Sequence, residues 1–450
     1  MNYTKKVAEF VSQTRFESIP PSALEETKRA LLDCIGVMLA GSKEESARIC
    51  AKLAKEESSS QGSTVIGQGF KSSTLMAAFS NGTAGHALDF DHGFIMGQPS
   101  AGVIPAILAL GEKVGASGRD ILVAYVVGFE VIAKLCRSMP GHNPGGWHAT
   151  ATLGSLGTAV ACARILALNP QGIQHTLGIA SSMASGLRAN FATMTKPLHA
   201  GLAAKNGVLA ARLASSGFDA NPTVVGDNEG FSLAFSRDIP SDLHPLEELG
   251  SSFDLVTRGI RFKPYPCGGL THPAVEAILK IREQQNISPE DVESIKVKVT
   301  PSVFHTILNR LPETALQTKF SMPYILARAL IDGKLGLETF SLEAAQDPSV
   351  RRLGAKVEME FDPDLPENED ASRPCRVILH QKDGKTLSES VGLDPATQRP
   401  RLSSQELRMK FTDCASRVIS SKAAAEVEKH IDHLEQLDSL APLFKLLIAA

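Results

Sequence analysis

The run AGLAAKNGVLAARLA, residues 200–214, together with GTAVACARILAL, residues 157–168, decides the fold. Both are helical in composition, and both are crowded with Ala and Gly. Small faces let helix backbones approach closely, which predicts a compact all-helical bundle. No repeat of roughly 30–45 residues is present, so a solenoid is not expected. Working outward, helices are expected over residues 4–14, from 22 to 41, over 45–57, 75–88, 102–114, 118–137, 149–167, 170–183 and 198–216. Ser22 and Glu25 have the spacing of a capping box, and Ser117 to Asp120 mark another helix start. STVIGQGFKSS, residues 63–73, reads as a small extended excursion.

The texture changes near Gly268. A helix over 272–285 precedes VESIKVKVTP (292–301), which alternates with the period of a half-buried strand. Short helices are expected over 324–331 and 342–345, then strands in 356–363 and 376–391. Lys382–Asp383–Gly384 is a hairpin signal within the last of these. DPDLPENEDASRP, residues 362–374, reads as an exposed loop, and helix returns from Ser403. The fold class is therefore mainly α. A large helical domain is built from both chain ends, residues 1–267 and 400–450, and a smaller α+β domain spans 268–399.

At 450 residues the chain has room for roughly two or three domains. A formal net charge of −3 and a pI of about 6.5 give no electrostatic case for nucleic acid or a membrane surface. Seven scattered cysteines without a CxxC pair argue against a disulfide framework or structural zinc, and fit a reducing compartment. MNYTKKVAEFVSQTRF lacks the apolar core of a signal peptide, and no uninterrupted apolar stretch of about twenty residues occurs. A cytoplasmic protein is expected.

Chemistry can be carried by a few polar islands. NGTAGHALDFDHGFIMGQPSAGVIP (81–105) gathers His86, Asp89, Asp91 and His92 within one short segment. It reads equally as a proton-transfer site or as an Asp-rich loop capping a helix. In GHNPGGWHATATLGSLG (141–157), His148 precedes a helix whose free amides could hold a carboxylate, although a glycine turn with an internally satisfied histidine is the plainer reading. MTKPLHAGLAAKNG (194–207) places Lys196 in a helical first turn with His199 beyond it; the lysine is either a snorkelling side chain or a counter-charge for a carboxylate. RFKPYPCGGLTHPAVEA (261–277) carries Lys263, Tyr265, Cys267 and His272, and Cys267 lacks an evident base, so it reads as structural. Tyr324 in KFSMPYILARAL reads as a core tyrosine. No GxGxxG after a strand, GxxxxGK[ST], HExxH or GxSxG is present, which points to cofactor-free acid–base work on a small anion.

These islands, in this order and across essentially the whole chain, resemble the MmgE/PrpD superfamily, which includes 2-methylcitrate dehydratases, cis-aconitate decarboxylases and iminodisuccinate epimerases. The motifs are NGTAGHALDFD, GWHATATLG, MTKPLHAGLAAKNGVLAA, FKPYPCGGLTHPAVEAI and KFSMPYILARALIDG. The resemblance implies a helical domain from both chain ends, a lid-like α+β domain, a homodimer, and an active site between the domains without metal or organic cofactor. It places catalytic roles on Asp89, His148, Lys196, Lys263 and Tyr324, and His92, Gln98, His199, Cys267 and His272 are expected around the substrate.

Two departures stand out. Many members carry histidine before the Pro-Ser of an HPSA motif, where this chain has Gln98. Many read D-D-T after the phenylalanine, where this chain reads Asp91–His92–Gly93; fungal cis-aconitate decarboxylases resemble it in placing a histidine at the position of His92. Glutamine cannot serve as a general acid near neutral pH, so His92 or His148 is expected to take that part. The expected function is a lyase of a small di- or tricarboxylate, with Lys196 and Lys263 holding carboxylates, His148 as general acid/base, Asp89 positioning it or acting as base, and Tyr324 donating a proton. The alternatives are an epimerase of a dicarboxylate such as iminodisuccinate, and a non-catalytic carboxylate-binding paralogue.

Overall fold

The computed structural model describes residues 2–366, 373–393 and 401–448. Residues 367–372 of the expected loop over 362–374, and the strip 394–399 at the end of the expected second domain, lie outside the described residues. The chain is mainly α and divides into two compact units: residues 1–262 with 402–450, and residues 263–401. Residues 263–267, including Lys263 and Cys267, therefore group with the second unit.

The first unit begins with α1 (Tyr3–Gln13), α2 (Pro21–Gly41) and α3 (Glu45–Glu56), then a short hairpin of β1 (Ser58–Val65) and β2 (Phe70–Ser72). Next come α4 (Thr74–Ala87), α5 (Ser100–Val114), α6 (Gly118–Ser138), α7 (Thr152–Ile165), α8 (Pro170–Met183) and α9 (Thr195–Ser215). The helices Ser404–Ala415, Ser421–Asp432 and Ala441–Leu447 return to this unit, the first of them packing on α2. No helix among the described residues is long and apolar enough to cross a membrane.

The small-residue faces do what their composition predicts. A Cβ on Gly201 of α9 would lie 2.2 Å from Thr83 Oγ1 and 2.5 Å from the Phe79 carbonyl oxygen of α4. One on Gly157 of α7 would lie 2.6 Å from the Gly128 carbonyl oxygen of α6. Real side chains cannot approach backbone so closely, so only glycine permits these crossings. Ser117 and Asp120 cap each other reciprocally at the start of α6. The expected Ser22–Glu25 box does not form. Pro20 is the N-cap of α2 and Pro21 its first residue, so Ser22 already lies inside the helix.

The second unit is built on a four-stranded sheet in the order β4-β3-β5-β6. Its strands are β3 (Val292–Val299), β4 (Val357–Phe361), β5 (Cys375–Gln381) and β6 (Thr386–Val391). β3 pairs in parallel with β4 and antiparallel with β5, and β5–β6 is the hairpin turned at Gly384, whose φ of 88° suits glycine. The helix His272–Gln285 packs on β5 and β6, and Met322–Asp332 packs on β4.

Candidate active site

The close crossing of α4 and α9 sets up the first unit's polar centre. One turn beyond Gly82 on α4 stands His86; a little over one turn before Gly201 on the antiparallel α9 stands Lys196. Lys196 Nζ donates to His86 Nε2 at 2.9 Å and to Asp89 Oδ1 at 3.0 Å. With its Nε2 accepting, His86 must carry its proton on Nδ1, which lies 2.8 Å from Asp91 Oδ2 and donates to it. The wiring is thus Lys196 to His86 to Asp91, with Asp89 as the lysine's counter-charge. All four residues are buried. Burial pushes the His86 imidazole below its usual value, against the upward pull of Asp91, which keeps the ring neutral as this wiring requires.

Asp89 sits just past the end of α4 with φ 51°, in the left-handed region. Aspartate tolerates that conformation better than most residues, and departures of this kind cluster at functional sites because surrounding structure must enforce them. The turn swings the Asp89 carboxylate back towards Lys196 in the first turn of α9, where it faces the ammonium.

Next to this cluster lies a histidine pair. His148 Nδ1 and His199 Nδ1 are 3.0 Å apart, so one ring donates and the other accepts. The His148 ring also stacks on His86 at 5.6 Å between centroids and meets the edge of Phe191 at 4.9 Å. Burial first, then the charge of Lys196 and the neighbouring imidazoles, holds His148 well below the usual histidine range. Burial likewise brings His199 down to about 4. Both rings are therefore neutral at neutral pH. Phe191 forms a wall between two cations, with Lys196 Nζ 5.6 Å and the Arg188 guanidinium 5.7 Å from its ring centre.

Two more of the expected site residues belong to the first unit. His92 is fully buried, with Nδ1 2.7 Å from Asp33 Oδ2 and Nε2 bonded to Ser100 Oγ. Both ring nitrogens are spent on protein partners, so His92 does not replace the missing HPSA histidine. Gln98 is tied to the loop after His148: Thr150 Oγ1 accepts from the Gln98 backbone N–H at 2.9 Å and donates to Gln98 Oε1 at 2.8 Å.

In the second unit, Lys263 Nζ lies 3.4 Å from the Cys267 carbonyl oxygen, and His272 Nε2 reaches the same oxygen at 3.3 Å. Cys267 is buried with Sγ 3.4 Å from Thr271 Oγ1, as a structural thiol would be. Tyr324 is a core residue. Its hydroxyl donates to the Thr339 carbonyl, and burial pushes its phenol up to about 12.

The sequence placed His86 and Asp91 in the polar island without giving either a role, and did not single out Phe191 or Arg188. Nothing in the spacing of the first two distinguished them from a cap. His86, Asp89 and Asp91 also bring ligand atoms within 4.8 Å of one another, the one grouping of metal-ligand type among the described residues. Two of those three groups already face the Lys196 ammonium, so the cation they are arranged around is the lysine's.

Comparisons with known proteins show the family of the chain. The model of the MmgE/PrpD N-terminal domain matches residues 5–243, and that of the MmgE/PrpD C-terminal domain matches residues 265–436. Among curated relatives, cis-aconitate decarboxylase of Mus musculus is 30% identical, covering 99% of this chain and 93% of the mouse protein. The Homo sapiens enzyme of that name is 31% identical, with 99% and 94% covered. That of Aspergillus terreus is 27% identical, with 99% and 95% covered.

Proposed function

The chain belongs to the MmgE/PrpD family and is a lyase of the decarboxylase/dehydratase kind, and on that premise we propose that it acts without a cofactor on a small di- or tricarboxylate of the cis-aconitate type. The observation that carries the reading is the Lys196 ammonium held between Asp89 and His86 beside a buried, neutral His148–His199 pair.

Chemistry next to a carboxylate needs two things at once: fixed positive charge where negative charge gathers, and a group able to pass a proton at carbon. In decarboxylation the C–C bond to a carboxylate breaks, CO2 leaves, and the electron pair stays on carbon until a proton arrives. In dehydration the proton next to the carboxylate leaves first and hydroxide departs from the neighbouring carbon. Lys196 and Arg188 supply the positive charge, and Lys263 keeps its proposed part as a carboxylate ligand. His148 exchanges the proton. Neutral in the free protein, it gains basicity when a carboxylate anion settles beside it, because a nearby negative charge favours the imidazolium. His199, bonded to His148 Nδ1, orients that ring. Asp89 keeps Lys196 charged and in place and does not itself take the substrate's proton. A homodimer is proposed on family grounds.

The test is proton NMR in D2O with purified protein and a panel of cis-aconitate, citrate, 2-methylcitrate and iminodisuccinate. Loss of CO2 or water from one of them is the expected result and names the bond that breaks. Deuterium exchange beside a carboxylate without any other change would make the protein an epimerase. A silent spectrum across the panel would sink the carboxylate-lyase reading.

A further inference from the structure

A second buried chain of polar groups lies behind the cluster, and the mechanism above leaves it unused. Its outer end is Lys410, on the helix Ser404–Ala415, far along the sequence from the island. Lys410 Nζ is 2.6 Å from Asp33 Oδ1 on α2 and donates at 2.7 Å to the carbonyl oxygen of Phe90, the residue between Asp89 and Asp91. The ammonium also lies 3.8 Å from the centre of the Phe90 ring. Asp33 then accepts from His92 Nδ1, His92 Nε2 takes the proton of Ser100 Oγ, and Ser100 Oγ lies 2.7 Å from the Tyr125 hydroxyl. Every side chain in the series is buried. Burial alone would push the Asp33 carboxyl up, but Lys410 and His92 together outweigh it and hold it below its usual value, so the carboxylate stays ionised.

This placement is specific. The chain grips the turn at two points, the Phe90 carbonyl and the His92 ring, and these flank Asp91 and adjoin Asp89. Asp89 has the left-handed backbone that something must enforce, and Lys410 bonds the carbonyl of the residue that follows it. Ion pairs this deep gain little net stability over apolar packing, so a plain stabilising role does not account for their presence here. Lys410 also falls in the stretch matched by the C-terminal family domain, while Asp33 and His92 fall in the N-terminal one.

We propose that Lys410, Asp33 and His92 form a positioning brace that holds the turn after α4 so that the Asp89 carboxylate meets Lys196. The three are positioning residues; none touches the reacting atoms. The inference rests on Asp89 and Lys196 being the reactive centre, so its test needs one readout that is independent of turnover.

The variants are Lys410→Met and the double variant Asp33→Asn/Lys410→Met. The second leaves no unpaired buried charge, so it keeps the test valid if the first fails to fold. Two quantities are measured on each: kcat and KM with cis-aconitate, and the 15N imidazole signals of His86, assigned with His86→Gln. A displacement of about 1 Å at a reacting group costs on the order of 100-fold. The expected result is a fall in kcat of about 10- to 100-fold with KM changed less than about 2-fold, and displaced His86 signals in the folded double variant. Wild-type kcat and unmoved His86 signals, whatever the melting temperature, would overturn the brace. If the wild-type protein does not turn over cis-aconitate, the proposed substrate falls. The His86 signals still decide the brace, which stands if they move and falls if they do not.

Discussion

Two buried lysines in the first unit show how differently the same charge can be used. Lys134 on α6 is fully buried, donating to Asp254 Oδ2 at 2.8 Å and to the Ser252 carbonyl at 3.1 Å. Around it Arg137 grips Glu248 with two nitrogens, at 2.5 and 2.8 Å, and the Arg137 hydrogen bonds bring the Glu248 carboxyl down to about 2. Glu130, raised by burial to about 7, accepts the backbone N–H groups of Asp254 and Leu255. Every partner is an ion or a backbone group, and the network ties α6 to the segment 248–255. Lys196 is wired to an imidazole instead, with a second imidazole stacked on that one, a third tilted against the second, and a left-handed aspartate as counter-ion. The lesson is that a buried charge does not by itself mark a site. What distinguishes the proposed site is neutral rings that can take a proton, held beside a charge by a strained turn.

The largest expected effect is on His148. His148→Ala should slow turnover by roughly 10²–10⁴-fold without unfolding the protein. Steady-state kinetics and a thermal melt check this together, and near-normal activity would remove His148 from the mechanism.

The two lysines then cross over. Lys196→Met should cost about 10²–10³-fold in kcat, the usual loss when one electrostatic stabiliser is removed. Lys134→Met should instead destabilise by roughly 3–5 kcal/mol, because it strands buried carboxylates, while the folded fraction turns over normally. Denaturant titration and kinetics on both variants would break the comparison if the two losses were alike.

A smaller effect concerns pH. His142, bonded to the Phe235 carbonyl at 3.0 Å, is brought by burial down to about 4. A group whose folded pKa lies below its unfolded value stabilises above the unfolded value, and that stability is lost as pH falls toward the folded one. His142 should therefore withdraw up to about 3 kcal/mol between pH 6.5 and 4. Melting curves across that window should flatten in His142→Gln. The smallest expectation is that Ser22→Ala changes stability by less than about 0.5 kcal/mol, since no cap is lost.

The sequence carried the local signals well and the distant ones poorly. The Ser117–Asp120 cap, the Gly384 hairpin and the small-residue helix faces are short-range features, and each could be read from adjacent residues. Ser22–Glu25 had the right spacing, but two prolines had already fixed the helix start. The parallel pairing of β3 with β4 joins segments separated by several helices, which no alternation pattern reveals. Within the site, Asp89, His148 and Lys196 were picked out by residue type and by family motif. Asp33 and Lys410 were not, because a charged residue on a helix reads as solvated until its partner, hundreds of residues away, is seen beside it. His92 misled for the same reason: its chemistry suited a site, but its partners Asp33 and Ser100 turn it inward.

On the proposed mechanism the working histidines are the buried, neutral pair and not ordinary solvated imidazoles. The most direct measurement is the pH dependence of kcat/KM from pH 8 to pH 4 on cis-aconitate, with the substrate's own titration measured separately and divided out. The free protein's groups set this profile. Because burial holds His148 well below its usual range and His199 at about 4, the profile should stay flat through pH 6.5 and fall only towards pH 4. An inflection near pH 6.5 would contradict the account, since it would place the essential histidine in water.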